Sequence, residues 1–237
     1  SLLNNLGHLL PTTILPLFVD LQGPVSLASD EADLLYSLAR AMIHSAQRQR
    51  RLVLSPLPRE ALAVGPFTAF DEWLDSVEAA MEAQGRLAAL LSLDEFEALG
   101  AALEEKRLNS TALLAMLRHL MQHRPRFKVL MAASHTLEEL QQWATYLVNV
   151  QTIHISYLRE AEARRLIERP VEGFALVDEA EASQQVLGLT GRHPFLVQLL
   201  CASLVALKNE QPPATRRSVR PQDVEAAALR ALTRGSF

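Results

Sequence analysis

"RLAALLSLDEFEALG", residues 86–100, is the stretch on which the fold turns. An apolar run ends abruptly in three acids within four residues, Asp94, Glu95 and Glu97. The length of the run predicts a strand over 86–94 that is buried inside a parallel sheet, because such strands read as continuous apolar segments. Open α/β sheets gather ligands at the carboxyl ends of their strands. The acids therefore either hold a metal and activate a water, or mark the point where a strand meets solvent.

Outward from this stretch the same grammar repeats. "TILPLFVDLQG" (13–23) is an apolar run ending at Asp20 and Gly23, and "FKVLMAAS" (127–134) is a shorter one with the polar tip Ser134. "VQTIHISYL" (150–158) alternates in the manner of a further strand. Between them lie helical patterns. Leu34, Leu35, Leu38 and Met42 make an apolar stripe over 30–46, and "QRQRR" (47–51) places positive charge at that helix's negative pole. "TAFDEWLDSVEAAM" has the form of a capped helix, with Thr68 as the cap and Asp71 three residues on. "STALLAMLRHLMQHRP" is a helix capped at Asn109–Thr111 and stopped by Pro125, and "TLEELQQWATYL" is another. Alternating strands and helices predict a parallel sheet with helices on both faces. After residue 158 the strands cease, and helices are expected near 178–188, 194–209 and 221–233. The predicted organisation is an α/β core over 1–157 followed by a small helical subdomain over 158–237.

Composition narrows the function classes. The chain has 237 residues, 49% of them hydrophobic, which excludes global disorder. A net charge of −4 with interspersed signs argues against whole-surface attraction to nucleic acid or an anionic membrane. The single cysteine, Cys201, allows no internal disulfide and no cysteine-based zinc site, and points to a reducing, cytoplasmic setting. No apolar run reaches the roughly 20 residues of a membrane span. His119 and His123 share a helix face, but "HLMQH" lacks the glutamate of a zinc-protease motif.

An apolar strand followed by Asp-Glu is the pattern of the second nucleotide-binding motif, Walker B. There the Asp holds Mg²⁺ at the nucleotide phosphates and the Glu polarises the attacking water. With "LPLFVDLQG", "PFTAFDEWLDSVE", "LSLDEFEAL", "LRHLMQHRPRFKVLMAASHTLEEL", "IHISYLREAEARRLIERP" and "LTGRHPFLVQLLCASLVALKNEQ" in sequence, the chain resembles the ATPase module of the STAND class of AAA+ proteins over most of residues 13–228. The resemblance implies a three-layer P-loop NTPase core and a helical lid, with ATP and Mg²⁺ as cofactors. Asp94 would be the metal-side acid, Glu95 the catalytic glutamate and Ser134 the γ-phosphate sensor. Gly191, His193 and Pro194 would form the lid motif, and Arg124 or Arg126 the residue that reaches phosphates across a subunit boundary. Glu97 is left as a helix-start or surface residue. The implied partners are further domains of the same polypeptide and other copies of the chain.

The family's phosphate loop, G-x-x-x-x-G-K-[ST], is not in this sequence: none of the nine glycines precedes Lys-Ser or Lys-Thr. "SLLNNL" matches the start of the helix that follows that loop, so the resemblance implies a core cut just after Gly-Lys-Thr and lacking its first strand. Two functions stay open on the sequence. One is an ATP-binding, ATP-hydrolysing switch module; the other is a non-catalytic interaction scaffold on a degenerate NTPase fold.

Overall fold

The computed structural model describes residues 2–134 and 150–233. The chain divides into two compact units, Ser1–Val150 and Gln151–Phe237. The first is mixed α/β. Its elements are α1 (Leu2–Leu9), β1 (Ile14–Asp20), α2 (Gln22–Leu27), α3 (Glu31–Arg50), a 3-10 turn (Arg59–Ala63), α4 (Pro66–Ala83), β2 (Ala88–Asp94), α5 (Glu97–Glu104), α6 (Ser110–His123) and β3 (Phe127–Met131). The three strands lie in the order β1-β2-β3, all parallel.

Register matters more than count here. Leu15 pairs with Ala89, Leu17 with Leu91 and Val19 with Leu93, so the ladder ends with Asp20 beside Asp94. On the other flank Ala89 pairs with Phe127 and Leu93 with Met131. Leu15, Leu17, Val19, Ala89, Leu91, Leu93 and Phe127 are all buried, in one core with Leu34, Leu35 and Met42 of α3 and with Trp73, Val77 and Met81 of α4. Each fully buried Leu or Val side chain contributes about 2 kcal/mol of transfer free energy, which is why this register and no slipped one is adopted.

The outer edge of β1 is closed. Alternate residues of a strand turn their N–H away from a given neighbour, and on β1 the outward set begins with Ile14, Pro16 and Phe18. Ile14 N–H donates to Pro11 O at 3.0 Å. Pro16 has no N–H to offer, and proline in sheets belongs on edges. Phe18 N–H donates to Ser45 Oγ at 2.7 Å, and that hydroxyl donates to Pro16 O at 3.4 Å. Helix α3, lying along β1, thus supplies the hydrogen bonds that another strand would otherwise make. Helix α1 is strapped to the far end of α3. Arg50 donates to Gly7 O and Leu10 O at 2.8 and 3.1 Å, and Arg48 to Asn4 Oδ1 at 2.9 Å. A Cβ on Gly7 would overlap the Gln49 amide, so a larger residue at this crossing would make the Gln49 side chain swing aside.

Two local expectations are corrected. Helix α4 starts at Pro66 rather than after Thr68, because proline's fixed φ suits the first helical position and Gly65 caps it. Asp71 is then well inside the helix and takes part in an ion pair instead of a cap. The strand expected over 150–158 is not one: residues 150–158 pair with no strand among the described residues, and Ile153, Ile155 and Tyr157 are exposed. Asn109 caps α6 as expected, accepting from Ala112 N at 3.0 Å. The helix expected over "TLEELQQWATYL" lies outside the described residues.

The second unit contains α7 (Glu160–Glu168), β4 (Val177–Asp178), α8 (Ala180–Thr190), α9 (Pro194–Asn209), β5 (Ser218–Val219) and α10 (Pro221–Thr233). Its helices share a core of Ala163, Ile167, Val186, Val197, Leu200, Leu204 and Val224. Strands do not cease entirely after 158, since β4 and β5 form a two-residue parallel ladder. A buried ion pair, Lys208 Nζ to Asp223 Oδ2 at 3.1 Å, joins α9 to α10, and Gln211 and Arg220 N–H donate to the same carboxylate at 3.1 and 2.9 Å. No helix among the described residues is long and apolar enough to cross a membrane.

Candidate functional site: acids at the strand tips

The carboxyl ends of β1, β2 and β3 are tied together by backbone hydrogen bonds that run sideways across the sheet. Leu21 N–H donates to Asp94 O at 3.0 Å. Ala132 N–H donates to Leu93 O and Phe96 N–H to Ala132 O, both at 2.9 Å. Between Asp94 and Phe96 the chain reverses into α5, and the turn requires Glu95 to adopt a left-handed conformation, φ +53°. Phe96 is buried in the core, so it anchors the turn while Glu95 is held out in solvent. A non-glycine residue in this region is strained, and such strain concentrates at functional turns.

The result is a row of carboxylates. Asp20 and Asp94 sit on neighbouring strands at the same level, separated by the strand spacing of about 4.8 Å. Glu95 projects from the turn, and Glu97 opens α5. Repulsion from Glu97 above all, then loss of hydration and the Asp94 and Asp20 charges, pushes the Glu95 carboxyl above its ordinary range. Asp20 also accepts from Gln22 N at 2.9 Å, which fixes its carboxylate at the start of α2.

Ser134 is brought to this row, but its partner is Glu97 rather than Glu95. Ser134 N–H donates to Glu97 Oε1 at 3.1 Å, and the Ser134 hydroxyl donates to the same oxygen. Two residues of this edge, Asp20 and Glu97, were given no chemical role on the sequence. Asp20 was legible in principle, because "ILPLFVD" repeats the apolar-run-then-acid form of β2. Glu97 was not, since its bond to Ser134 depends on where β3 ends.

Arg124 and Arg126 stand elsewhere. They precede β3, so they lie at the amino ends of the strands, about 20 Å along β2 from Asp94. Arg124 is 7% exposed. Its guanidinium bonds Asp71 at 2.8 Å, Asp75 at 2.8 Å and Glu78 at 3.2 Å, and donates to Asp71 O at 2.6 Å. The expectation of a phosphate-reaching Arg124 is therefore corrected: it is consumed in clamping α6 to α4. Hydrogen bonding to Arg124 holds the Asp71 carboxyl below its usual range. Arg126 lies 3.5 Å from Glu82. His119 Nε2 is 3.7 Å from Asp71 on the same face, its ring 5.0 Å from that of His123.

In the second unit Gly191, Arg192, His193 and Pro194 form the corner between α8 and α9. Gly191 ends α8 at φ +55°, Arg192 follows at φ +65°, and His193 caps α9 by accepting from Phe195 N at 3.2 Å through Nδ1. Pro194 takes the first helical position. Leu158 N–H donates to Arg192 O at 3.1 Å, and the Tyr157 and His193 rings lie 5.1 Å apart. This corner shows what glycine and proline dictate locally.

Among the described residues no three His, Cys, Asp or Glu side chains converge as a closed metal site would need. A nucleotide-bound Mg²⁺ does not need one: it keeps several waters and takes one or two carboxylates plus phosphate oxygens. The hard oxygen donors of Asp20 and Asp94 fit that chemistry. Comparisons with protein-family models, with curated proteins and with solved structures found no match to this chain.

Proposed function

We propose that the first unit is the Mg²⁺-facing half of an ATP-hydrolysing switch module of the STAND type, on a P-loop NTPase core with a helical lid. The observation that carries the reading is the register that sets Asp20 beside Asp94 at the carboxyl end of a parallel sheet, with Glu95 turned out of the next residue. In this reading Asp94, with Asp20 alongside, holds the metal's water shell. Glu95, fully exposed and above the usual carboxylate range, accepts the proton of an attacking water. Ser134 donates to the oxygen on which charge develops. Mg²⁺, when bound, neutralises the phosphate charge that this acidic edge would otherwise repel. The corner through Gly191, His193 and Pro194 takes the lid role, and ATP hydrolysis would be passed to further domains or to other copies of the chain.

The test is calorimetric titration of the intact protein with Mg-ATP. Binding is expected, with Glu95→Gln binding normally and hydrolysing at least about a hundredfold more slowly, the usual weight of a lost general base. No binding would overturn the reading.

A second reading has its own support. The two Ser134 donors are already spent on Glu97. A scaffold that keeps the fold without the chemistry would show this feature, and would be left unchanged by Glu95→Gln in every assay of function.

A further inference from the structure

The Ser134–Glu97 contact has a form that proteins use for anions. A backbone N–H and a hydroxyl converge on one negatively charged oxygen, Glu97 Oε1. Charge-assisted bonds of this kind also hold phosphate oxygens. We propose that Glu97 is an internal stand-in for the nucleotide's terminal phosphate: its carboxylate holds the two Ser134 donors and must surrender them when Mg-ATP binds. The inference rests on reading the strand tips as a nucleotide site.

The geometry fixes both partners. Phe96 is buried and donates its N–H to Ala132 O at 2.9 Å, which pins the residue before Glu97 to the chain just before Ser134. Ala98 N–H donates to Glu95 O at 3.0 Å, so the first turn of α5 is closed on both sides of Glu97. Glu97 is the first residue of that helix, where a carboxylate is favoured by the helix dipole. The side chain is thus positioned by its own backbone to meet the end of β3.

The charge surroundings say which ligand can displace it. Glu97 opens α5 two residues after Glu95, beside the strand ends where Asp94 lies next to Asp20. A bare phosphate entering this edge meets like charge on every side. A phosphate whose charge is neutralised by a divalent cation would not. Exchange at Ser134 is therefore coupled to the metal: phosphate alone leaves Glu97 in place, and Mg-ATP removes it. Glu97 so acts as a positioning residue that sets the affinity threshold of the site.

The experiment is calorimetry of the intact wild type, Glu97→Ala and Glu97→Gln with Mg-ATP, with inorganic phosphate as the metal-free probe. Competition predicts that Glu97→Ala binds Mg-ATP more tightly than wild type by about fivefold, the equivalent of one hydrogen bond regained. Glu97→Gln gains less, because its amide oxygen accepts the same bonds without the charge. In a Ser134→Ala background the gain from Glu97→Ala shrinks. A purely structural tie between α5 and β3 cannot raise affinity, so equal or weaker binding by both Glu97 variants overturns the inference while leaving the nucleotide reading intact. Failure of wild type and variants alike to bind Mg-ATP overturns that reading and this inference with it. Tight binding of phosphate alone by the wild type also overturns it, since the stand-in would then yield without metal.

Discussion

Glu95 combines two unfavourable conditions in one side chain. Its backbone is left-handed, and its carboxyl is raised by Glu97, by lost hydration, and by Asp94 and Asp20. An acid whose folded pKa lies above its unfolded value adds stability that is complete below the unfolded value, 4.5, and is lost as pH rises through the folded one. Glu95→Gln should therefore melt with wild type at pH 4 and above it at pH 7. Melting curves that run parallel across that range would contradict the repulsion. Glu95→Gly should raise the melting temperature at every pH by relieving the φ strain. The Asp-Glu pair was plain in the sequence because a strand tip is a matter of pattern. Its third neighbour was not: the assignment of Glu97 to Ser134 depends on a sideways bond between Phe96 and Ala132, and periodicity along one strand carries no record of it.

At the scale of elements, α6 is fastened to α4 by a buried cation that the sequence resemblance offered to phosphates. Arg124 closes the amino end of β3 against α4 through Asp71, Asp75 and Glu78. Removing it as Arg124→Ala leaves three carboxylates facing one another and should cost about 3 kcal/mol. Chemical denaturation measures this, and Arg124→Lys should recover only part of it because a lysine makes one contact where the guanidinium makes several. Asp71, which is nearly half exposed, contributes less. Its folded pKa is depressed, so its stabilisation is present above the unfolded value of 3.8 and fades as pH falls through the folded one. Asp71→Asn should lose about 1 kcal/mol at pH 7, a deficit that closes in acid. Ser45→Ala tests the sealed edge: it strands Phe18 N–H in a part-buried setting and should cost about 1 kcal/mol. The amphipathic helices themselves were legible from residue spacing, as α3, α6, α8, α9 and α10 show. The start of α4 was misread because Thr68 and Asp71 satisfy a capping pattern, while Pro66 sets the boundary by its ring. "VQTIHISYL" was misread because alternation describes a strand's side chains and says nothing of whether a neighbour is there to pair with it.

At the scale of the whole molecule there are two cores with separate fastenings. Lys208 and Asp223 belong to the second. Lys208→Met leaves a buried carboxylate without its cation and should destabilise that core by about 3 kcal/mol. Hydrogen exchange should then speed in α8, α9 and α10 while β1, β2 and β3 keep their protection; a uniform rise across both units would refute separate cores. The split into an α/β part and a helical part was readable from where the long apolar runs stop. The short β4–β5 ladder was not, since two residues carry no period. The closed flank of β1 has a directional consequence. With Pro16 and Ser45 guarding that side, any strand that joins this sheet does so next to β3, and β1 stays the outermost strand. Growth from one side only would keep Asp20 on the outermost strand and make β3, with Ser134 just past its end, the interior neighbour of the added strand.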